Sequence, residues 1–413
     1  MSPHSRKALS VGDRISVTIE KIAHGGHFIA RHEGAVIFVR HAIPDEVCTI
    51  EITSVGTSFN RADVISVEST SSDRVSAPCR YAHRQGCGGC DFQHIRPARQ
   101  RELKSDVITE QFARIAKMEI DIEVEEVSAP LHWRTRYAAT TDAQSRIGFK
   151  SLGSNRVIPI DSCPILVPEI DLATLPHDRL KASSRVEVAI STQGERVIGI
   201  SDSRNSRQDK NPPVSIIEGT SPLRYDVSSA EGNFQYQVSS DSFWQGNINA
   251  PAALVDAVME YAQVEEGDHL LDLYGGVGLF AGAAIETLGP TGRIDIVEGA
   301  RSATSDARAN FEKFKNVHIH TGDVAKEAKK FDSADVILLD PPRTGAGAGV
   351  IESITQLGAR AIVYIACDPA ALARDTGYLR DAGYHLEAIR AFDIFPMTHH
   401  VESVALYTPS EVS

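Results

Sequence analysis

From about residue 248 onward the chain alternates helical segments with short, near-continuous apolar runs: HLLDLY, RIDIVE, NVHIHTG, DVILLD and AIVYIAC. Strands that show no polar alternation are covered on both faces, so this half predicts an α/β fold with a parallel sheet between helices. The ending departs from that pattern. HLEAIRAFDIFPMTHHVESVALY holds two strands joined by a loop too short for a parallel crossover, which predicts an antiparallel strand at the sheet's edge.

Asp272-Leu-Tyr-Gly-Gly-Val-Gly278 follows the first of these strands and precedes a helical stretch. Gly276 and Gly278 there permit close backbone approach to a ligand at a strand's carboxyl end. Glu298 ends the next strand, where a carboxylate can accept both ribose hydroxyls of a nucleoside cofactor, and Asp323, just past the third strand, joins the expected cofactor contacts. Gly276-x-Gly278-x-x-Ala281 with Glu298 also fits the dinucleotide fingerprint, so spacing alone leaves a nicotinamide dehydrogenase open. Three features favour methyl transfer to nucleic acid: the terminal hairpin, Asp340-Pro-Pro-Arg343 after the fourth strand, and Cys367 after the fifth. All three crowd one sheet edge.

Uracil C5 is a poor nucleophile and needs activation, most simply by adding a thiolate to C6. Cys367 is placed to be that thiolate. Glu402, in HHVES, is the candidate base that removes the C5 proton so that the thiolate can leave. Phe243 or Trp244 could stack on the flipped base, with Asp340 beside it. His399 and His400 invite a metal reading, which is discounted because neighbours on a strand point to opposite faces.

Toward the other end, residues 13–68 read as short strands with turns at Gly25-Gly26 and Gly34, which predicts an OB-like five-stranded β-barrel, a fold that often grips single-stranded nucleic acid. A polar linker, residues 70–78, leads to a cysteine cluster and then to a helical stretch, 98–117, with apolar positions Leu103, Val107, Ile108, Phe112 and Ile115. Residues 122–240 are strand-rich and irregular. The expected division is a barrel over 6–69, a mixed central domain over 70–240 whose helix can pack on the catalytic part, and a catalytic domain over 241–413.

The six cysteines sort by spacing. Cys79-x7-Cys87-x2-Cys90, with Cys163 downstream, supplies four thiolates that suit an iron-sulfur cluster or a tetrahedral zinc. Cys48 lies in an apolar strand and reads as core. The formal net charge of −13 excludes nucleic-acid binding over the whole surface, so any RNA site must be a local basic patch. Two clusters offer one: Arg96, Arg99, Arg101 and Lys104, and then Arg134, Arg136, Arg146, Lys150 and Arg156. No apolar run is long enough to span a bilayer, and the expectation is a cytoplasmic monomer with no membrane partner.

Taken together, these residues resemble the bacterial RNA 5-methyluridine methyltransferases that act on 23S ribosomal RNA and, in related members, on transfer RNA. The family's F-x-Q-x-N is matched by Phe243, Gln245 and Asn247, and its D-L-Y/F-C-G-x-G by Asp272 to Gly278, with Gly275 replacing cysteine. S-C-N-P appears as Ala366-Cys367-Asp368-Pro369, and F-P-x-T-x-H-x-E as Phe395 to Glu402. The resemblance implies S-adenosylmethionine as cofactor, with contacts from Gln245, Tyr274, Glu298 and Asp340. It implies a 4Fe-4S cluster on Cys79, Cys87, Cys90 and Cys163, since Cys87-Gly-Gly-Cys90 and Cys163-Pro164 match the family's C-G-G-C and C-P. The barrel resembles the family's TRAM domain, with Pro44-Asp-Glu46 in place of P-G-E, and favours ribosomal over transfer RNA. Asp368 in place of asparagine sets a negative charge beside the thiol, which would raise its pKa unless the acid is paired. With Gly275, it leaves one competitor: an RNA-binding iron-sulfur protein with a degenerate methyltransferase domain.

Overall fold

The structure, a computed structural model, describes residues 9–202 and 214–410. Strands β1 (Arg14–Ala23), β2 (His27–His32), β3 (Ala35–Arg40), β4 (Val47–Val55) and β5 (Asn60–Ser69) close into a barrel in the order β1-β2-β3-β5-β4. Strand alternation turns Ile19, Phe28, Ile37, Val39, Cys48 and Ile50 inward, all fully buried. Asp45, standing where the family has glycine, has φ +70°. That left-handed conformation favours glycine, and aspartate is among the few other residues that adopt it readily. Glu46 beside it is buried and held by Arg74 at 2.7 Å. The barrel does not fill its own core: Phe92, Ile95, and Leu103 and Val107 of helix α1 (Pro97–Gln111) complete it.

A short strand β6 (Val124–Glu126) precedes the central sheet. There β7 (Arg136–Thr141), β8 (Ile147–Lys150), β9 (Val157–Pro159), β10 (Ser184–Ile190), β11 (Arg196–Asp202) and β12 (Ser215–Glu218) pair antiparallel in the order β12-β11-β10-β7-β8-β9. A hairpin, β13 (Leu223–Ser229) and β14 (Gly232–Val238), follows.

The remaining chain runs α2 (Ala250–Ala262), β15 (His269–Leu273), α3 (Leu279–Leu288), β16 (Arg293–Glu298), α4 (Arg301–Asn310), β17 (Val317–Thr321), α5 (Val324–Glu327), β18 (Val336–Leu339), α6 (Ala348–Thr355), β19 (Ala361–Ala366), α7 (Pro369–Asp381), β20 (Tyr384–Asp393) and β21 (Glu402–Pro409). The sheet order is β17-β16-β15-β18-β19-β21-β20-β6. Strands β15 to β19 are mutually parallel, and the apolar runs of β18 and β19 are buried throughout. The antiparallel strand expected at the edge lies inside instead. β21 sits between β19 and β20, and β6, contributed from more than 250 residues earlier, pairs with Ala391–Asp393 to form the edge. A three-residue strand carries too little pattern to be recognised in sequence.

Helix α1 is shared between the barrel and this sheet. Its Lys104 is buried and donates to Asp393 at the end of β20 at 2.6 Å. Beyond α1 the chain makes a wide turn over Phe112–Ala116 that packs on α7, where Arg380 donates to the Ala116 carbonyl at 2.7 Å. Among the described residues no helix is long and apolar enough to cross a membrane.

Candidate active site

Parallel strands deliver their carboxyl ends to one edge, so Tyr274, Glu298, Asp323, Asp340 and Cys367 all gather there. Tyr274 itself is left-handed at φ +60°, as are Gly276 at +56° and Gly278 at +90°. A side chain at Gly278 would run into Phe311 at 2.3 Å, whereas Gly276 faces open space. The Glu298 carboxylate accepts the Gly276 N–H at 3.2 Å and the Ala300 N–H at 2.6 Å, so it is fixed across the mouth of the glycine loop. Asp323 caps α5 through the Lys326 N–H. Gly275 has no room for the cysteine of related sequences: a Cβ there would lie 2.8 Å from both Asp272 and Ile296.

Cys367 lies on the link between β19 and α7. Because Ala366 pairs with Ser403, the register brings Glu402, the first residue of antiparallel β21, to the same edge. Burial pushes the Cys367 thiol up to about 12, with Glu402 and Asp340 adding to the shift and Arg343 opposing it. Glu402 is buried and held well above the usual carboxylate range by that burial and by Asp340. Asp340 is raised to about 7 by burial and by Glu298. Asp368 is not the source of the thiol's shift. Burial would raise it, but His24 at 3.1 Å and the amides of Ala371 and Ala370 hold it below the ordinary carboxylate value. A cavity of about 220 Å³ opens onto Cys367, lined among others by His24, Gly26, Arg343, Asp368 and His400. A larger cavity of about 510 Å³, between the β13–β14 hairpin, the start of α2 and β20, contains none of these groups.

Asp272 is wholly buried, and among the described residues neither of its carboxylate oxygens has a hydrogen-bond partner. Burial, then Asp340, raise it to about 8, so the folded state holds its proton across a range where the unfolded chain has lost it. Its contribution to stability is present below about pH 4 and is lost as pH rises to about 8. Between those limits the wild-type protein loses on the order of 2–4 kcal/mol more than an Asp272→Asn variant. Melting both without cofactor at pH 5 and pH 8 checks this; parallel losses would mean that Asp272 is ionised and partnered in the fold.

The F-x-Q-x-N segment lies between the hairpin and α2. Asp306 of α4 anchors its approach by accepting from Ser239 and Ser242 at 2.6–2.8 Å. Gln245 and Asn247 are buried, and Asn247 donates to the Ile394 carbonyl at 2.9 Å. Phe243 is 66% exposed, but Trp244 is core, packed against Tyr225 and Tyr236, so it cannot stack on a base. The loop before Glu402 is strapped to the cysteine segment. Phe92 donates to the Met397 carbonyl at 3.0 Å, Gln100 accepts the Met397 N–H at 2.9 Å, and Asp91 takes both the N–H and Nδ1 of His399 at 2.9 and 2.6 Å. His399 and His400 precede the strand, and their rings lie 4.0 Å apart, so the opposite-faces argument does not apply to them.

Cys79, Cys87, Cys90 and Cys163 are free, partly buried thiols. Burial raises Cys90 to about 12 and Cys163 to about 11, each pushed further by other thiols of the set. Arg134 is half-buried beside Cys163, Cys90 and Cys87, and among the described residues it makes no ion pair. Among the described residues no three His, Cys, Asp or Glu side chains are set to hold one metal ion.

The first basic cluster is not a free RNA patch. Arg96 and Arg99 pair with Asp73 and Glu102, Arg101 with Glu126, and Lys104 is buried on Asp393. In the second, Arg136 donates to the carbonyls of Ser240 and Ser242, and Arg146 pairs with Asp142. Lys150 and Arg156 remain exposed, and among the described residues their side chains bond to Asn155 and to the Gln85 carbonyl. The partners of Arg101 and Lys104 come from distant segments, which is why sequence proximity misled. His24, Asp91 and Asp306 had no signal in the sequence, since each acts through a partner far away in the chain.

Comparison with known proteins agrees with this architecture. Residues 215–409 match the model of the tRNA (Uracil-5-)-methyltransferase family, and residues 8–65 match the TRAM domain. An RNA methyltransferase of Streptomyces avermitilis is 39% identical over 97% of this chain and 99% of its own. The 23S rRNA (uracil(1939)-C(5))-methyltransferase RlmD of Shewanella sp. (strain MR-4) is 30% identical, covering 98% of this chain and 97% of its own. The structure of the Pyrococcus abyssi tRNA (uracil-54, C5)-methyltransferase, in complex with S-adenosyl-L-homocysteine, shares the fold at a TM-score of 0.71 and 22% identity, over 95% of this chain and 99% of that one. With relatives of this similarity along its whole length, the chain belongs to the RNA (uracil-5-)-methyltransferase family.

Proposed function

We propose that this protein methylates C5 of a uridine in 23S ribosomal RNA, with S-adenosylmethionine supplying the methyl group. The observation that carries the reading is the convergence of Cys367, Glu402 and Asp340 at the edge that also holds the glycine loop and Glu298. The cofactor suits the residues present: open space over Gly276, the fixed Glu298 carboxylate for ribose hydroxyls, and the half-buried ring of Tyr274, with buried Gln245 as a further proposed contact. Gly278, Asp323 and Asp340 complete the proposed contacts.

Cys367 as thiolate adds to uracil C6, and the electron pair released to C5 takes the methyl group. Glu402 as carboxylate removes the C5 proton; the C5–C6 double bond re-forms as the C6–S bond breaks, and the thiolate leaves. Burial above all, and then Asp340 beside both, favours the protonated form of each group in the free site. Arg343 already opposes the shifts, and further positive charge brought beside the cluster lowers them more. Phe243, exposed next to Gln245, is the proposed stacking platform for the flipped base.

The four thiols of the central domain are proposed to hold a 4Fe-4S cluster. A donor set of sulfur alone suits it, and the half-buried Arg134, next to three thiols and without a carboxylate partner among the described residues, suits thiolates that carry charge. The group's proposed role is structural: Asp91, adjacent to Cys90, grips His399 in the loop that leads to Glu402. The TRAM barrel is proposed to bind RNA alongside.

The test is nucleoside mass analysis of transcribed 23S ribosomal RNA and transfer RNA, each incubated with anaerobically purified protein and S-adenosylmethionine. 5-Methyluridine in ribosomal RNA alone is the expected result, its appearance in transfer RNA alone would move the substrate, and binding without methylation would favour a degenerate site.

A further inference from the structure

The β1–β2 turn of the barrel, residues 24–26, forms one wall of the Cys367 cavity. Two independent contacts seat it. Gly25 and Gly26 are both left-handed, at φ +86° and +77°, and a Cβ on Gly26 would lie 2.3 Å from the Asp91 carboxylate and 2.8 Å from His399. Only glycine lets the turn come this close. One residue earlier, His24 Nε2 lies 3.1 Å from Asp368 Oδ2, while Asp368 Oδ1 accepts the Ala371 N–H at 2.9 Å and caps α7. Asp368 therefore has one oxygen committed to its own helix and the other to the barrel.

We propose that His24 is a positioning residue for the nucleophile, holding Asp368 so that the strand-to-helix link carrying Cys367 is fixed and the acid beside the thiol is neutralised. The barrel thereby supplies part of the active site as well as a grip on RNA. The inference rests on the reading of Cys367 as nucleophile. The physical need is clear from the neighbours: Glu402 and Asp340 already disfavour the thiolate, and Arg343 is the cation opposing them. A third carboxylate left free next to the sulfur would add to that penalty. The hydrogen bond to Asp368 raises the pKa of His24, against burial and the nearby Arg114, which favours the imidazolium that such a pairing needs.

The experiment uses the full chain with His24→Ala, His24→Gln, Asp368→Asn and the double variant His24→Ala/Asp368→Asn. Two quantities are read: the iodoacetamide alkylation rate of Cys367, followed by peptide mass, and the kcat and KM of uridine methylation. His24→Ala is expected to slow both alkylation and kcat about 10-fold, with KM for S-adenosylmethionine and the melting temperature unchanged. His24→Gln, which keeps a donor to Asp368 but not the charge, should recover only part of the loss, to about 3-fold below wild type, and full loss with glutamine would overturn the positioning role. In the Asp368→Asn background the alanine change should add nothing, because the charge it uncovers is gone. Equal effects in both backgrounds, unchanged alkylation, or a loss confined to KM for RNA would each overturn the proposal. If Cys367→Ala methylates at the wild-type rate, the nucleophile reading itself fails, whereas an additive cycle with an inactive Cys367→Ala removes only the role of His24.

Discussion

A Cys367→Ala protein is expected to lose 5-methyluridine formation by more than about 10³-fold while keeping its cofactor-induced thermal stabilisation. The separation of the two effects follows from the geometry. Cys367 lies past β19, on the link to α7. The fixed carboxylate of Glu298 lies past β16, beside the glycine loop. Removing the sulfur deletes the proposed nucleophile but leaves that loop intact. Nucleoside mass analysis and melting curves with and without S-adenosylmethionine provide both readings. Wild-type methylation by the variant would end the covalent mechanism, while loss of thermal stabilisation along with activity would mean that the change had disrupted the cofactor site.

Glu402→Gln should behave differently, because in the proposed mechanism the methyl transfer precedes the step that needs a base. The variant is expected to turn over about 10²–10⁴-fold more slowly and to accumulate a methylated RNA joined to protein through Cys367. A band that survives denaturing electrophoresis and disappears on nuclease treatment would identify it. Stability should move the other way. Glu402 is buried, and its carboxyl is raised well above the usual range, so ionising it costs folding energy as pH rises. The amide has no such charge, and the variant should melt at a higher temperature than wild type on the alkaline side. Slow turnover without an adduct would assign the proton to another group, with Asp340, raised to about 7 at the same edge, the first to examine.

The departures from the family's motifs show how far a sequence can be read. Gly275 counted toward a degenerate domain, yet the backbone there leaves no space for a side chain against Asp272 and Ile296. Asp368 looked like a burden on the thiol, yet it is bound at both oxygens by His24 and the start of α7. In the barrel, Asp45 stands in for glycine in the left-handed conformation that glycine favours. Each substitution is local, but its consequence depends on a neighbour that the chain brings from elsewhere.

What the sequence determined by itself was whatever is encoded in runs of adjacent residues. The apolar strands, the glycine loop, Asp340 and Cys367 at strand ends and the short-looped terminal hairpin follow from periodicity and turn chemistry, which act over a few residues. The closed barrel was legible in its strands and glycine turns for the same reason. Tertiary structure alone decided the pairing of β6 with β20, the burial of Trp244 in the hairpin core, the pairing of the Arg96–Lys104 cluster, and the contact between the barrel turn and the link that carries Cys367. A charged side chain finds its partner through space, and Lys104 and Asp393 are 289 positions apart in the chain.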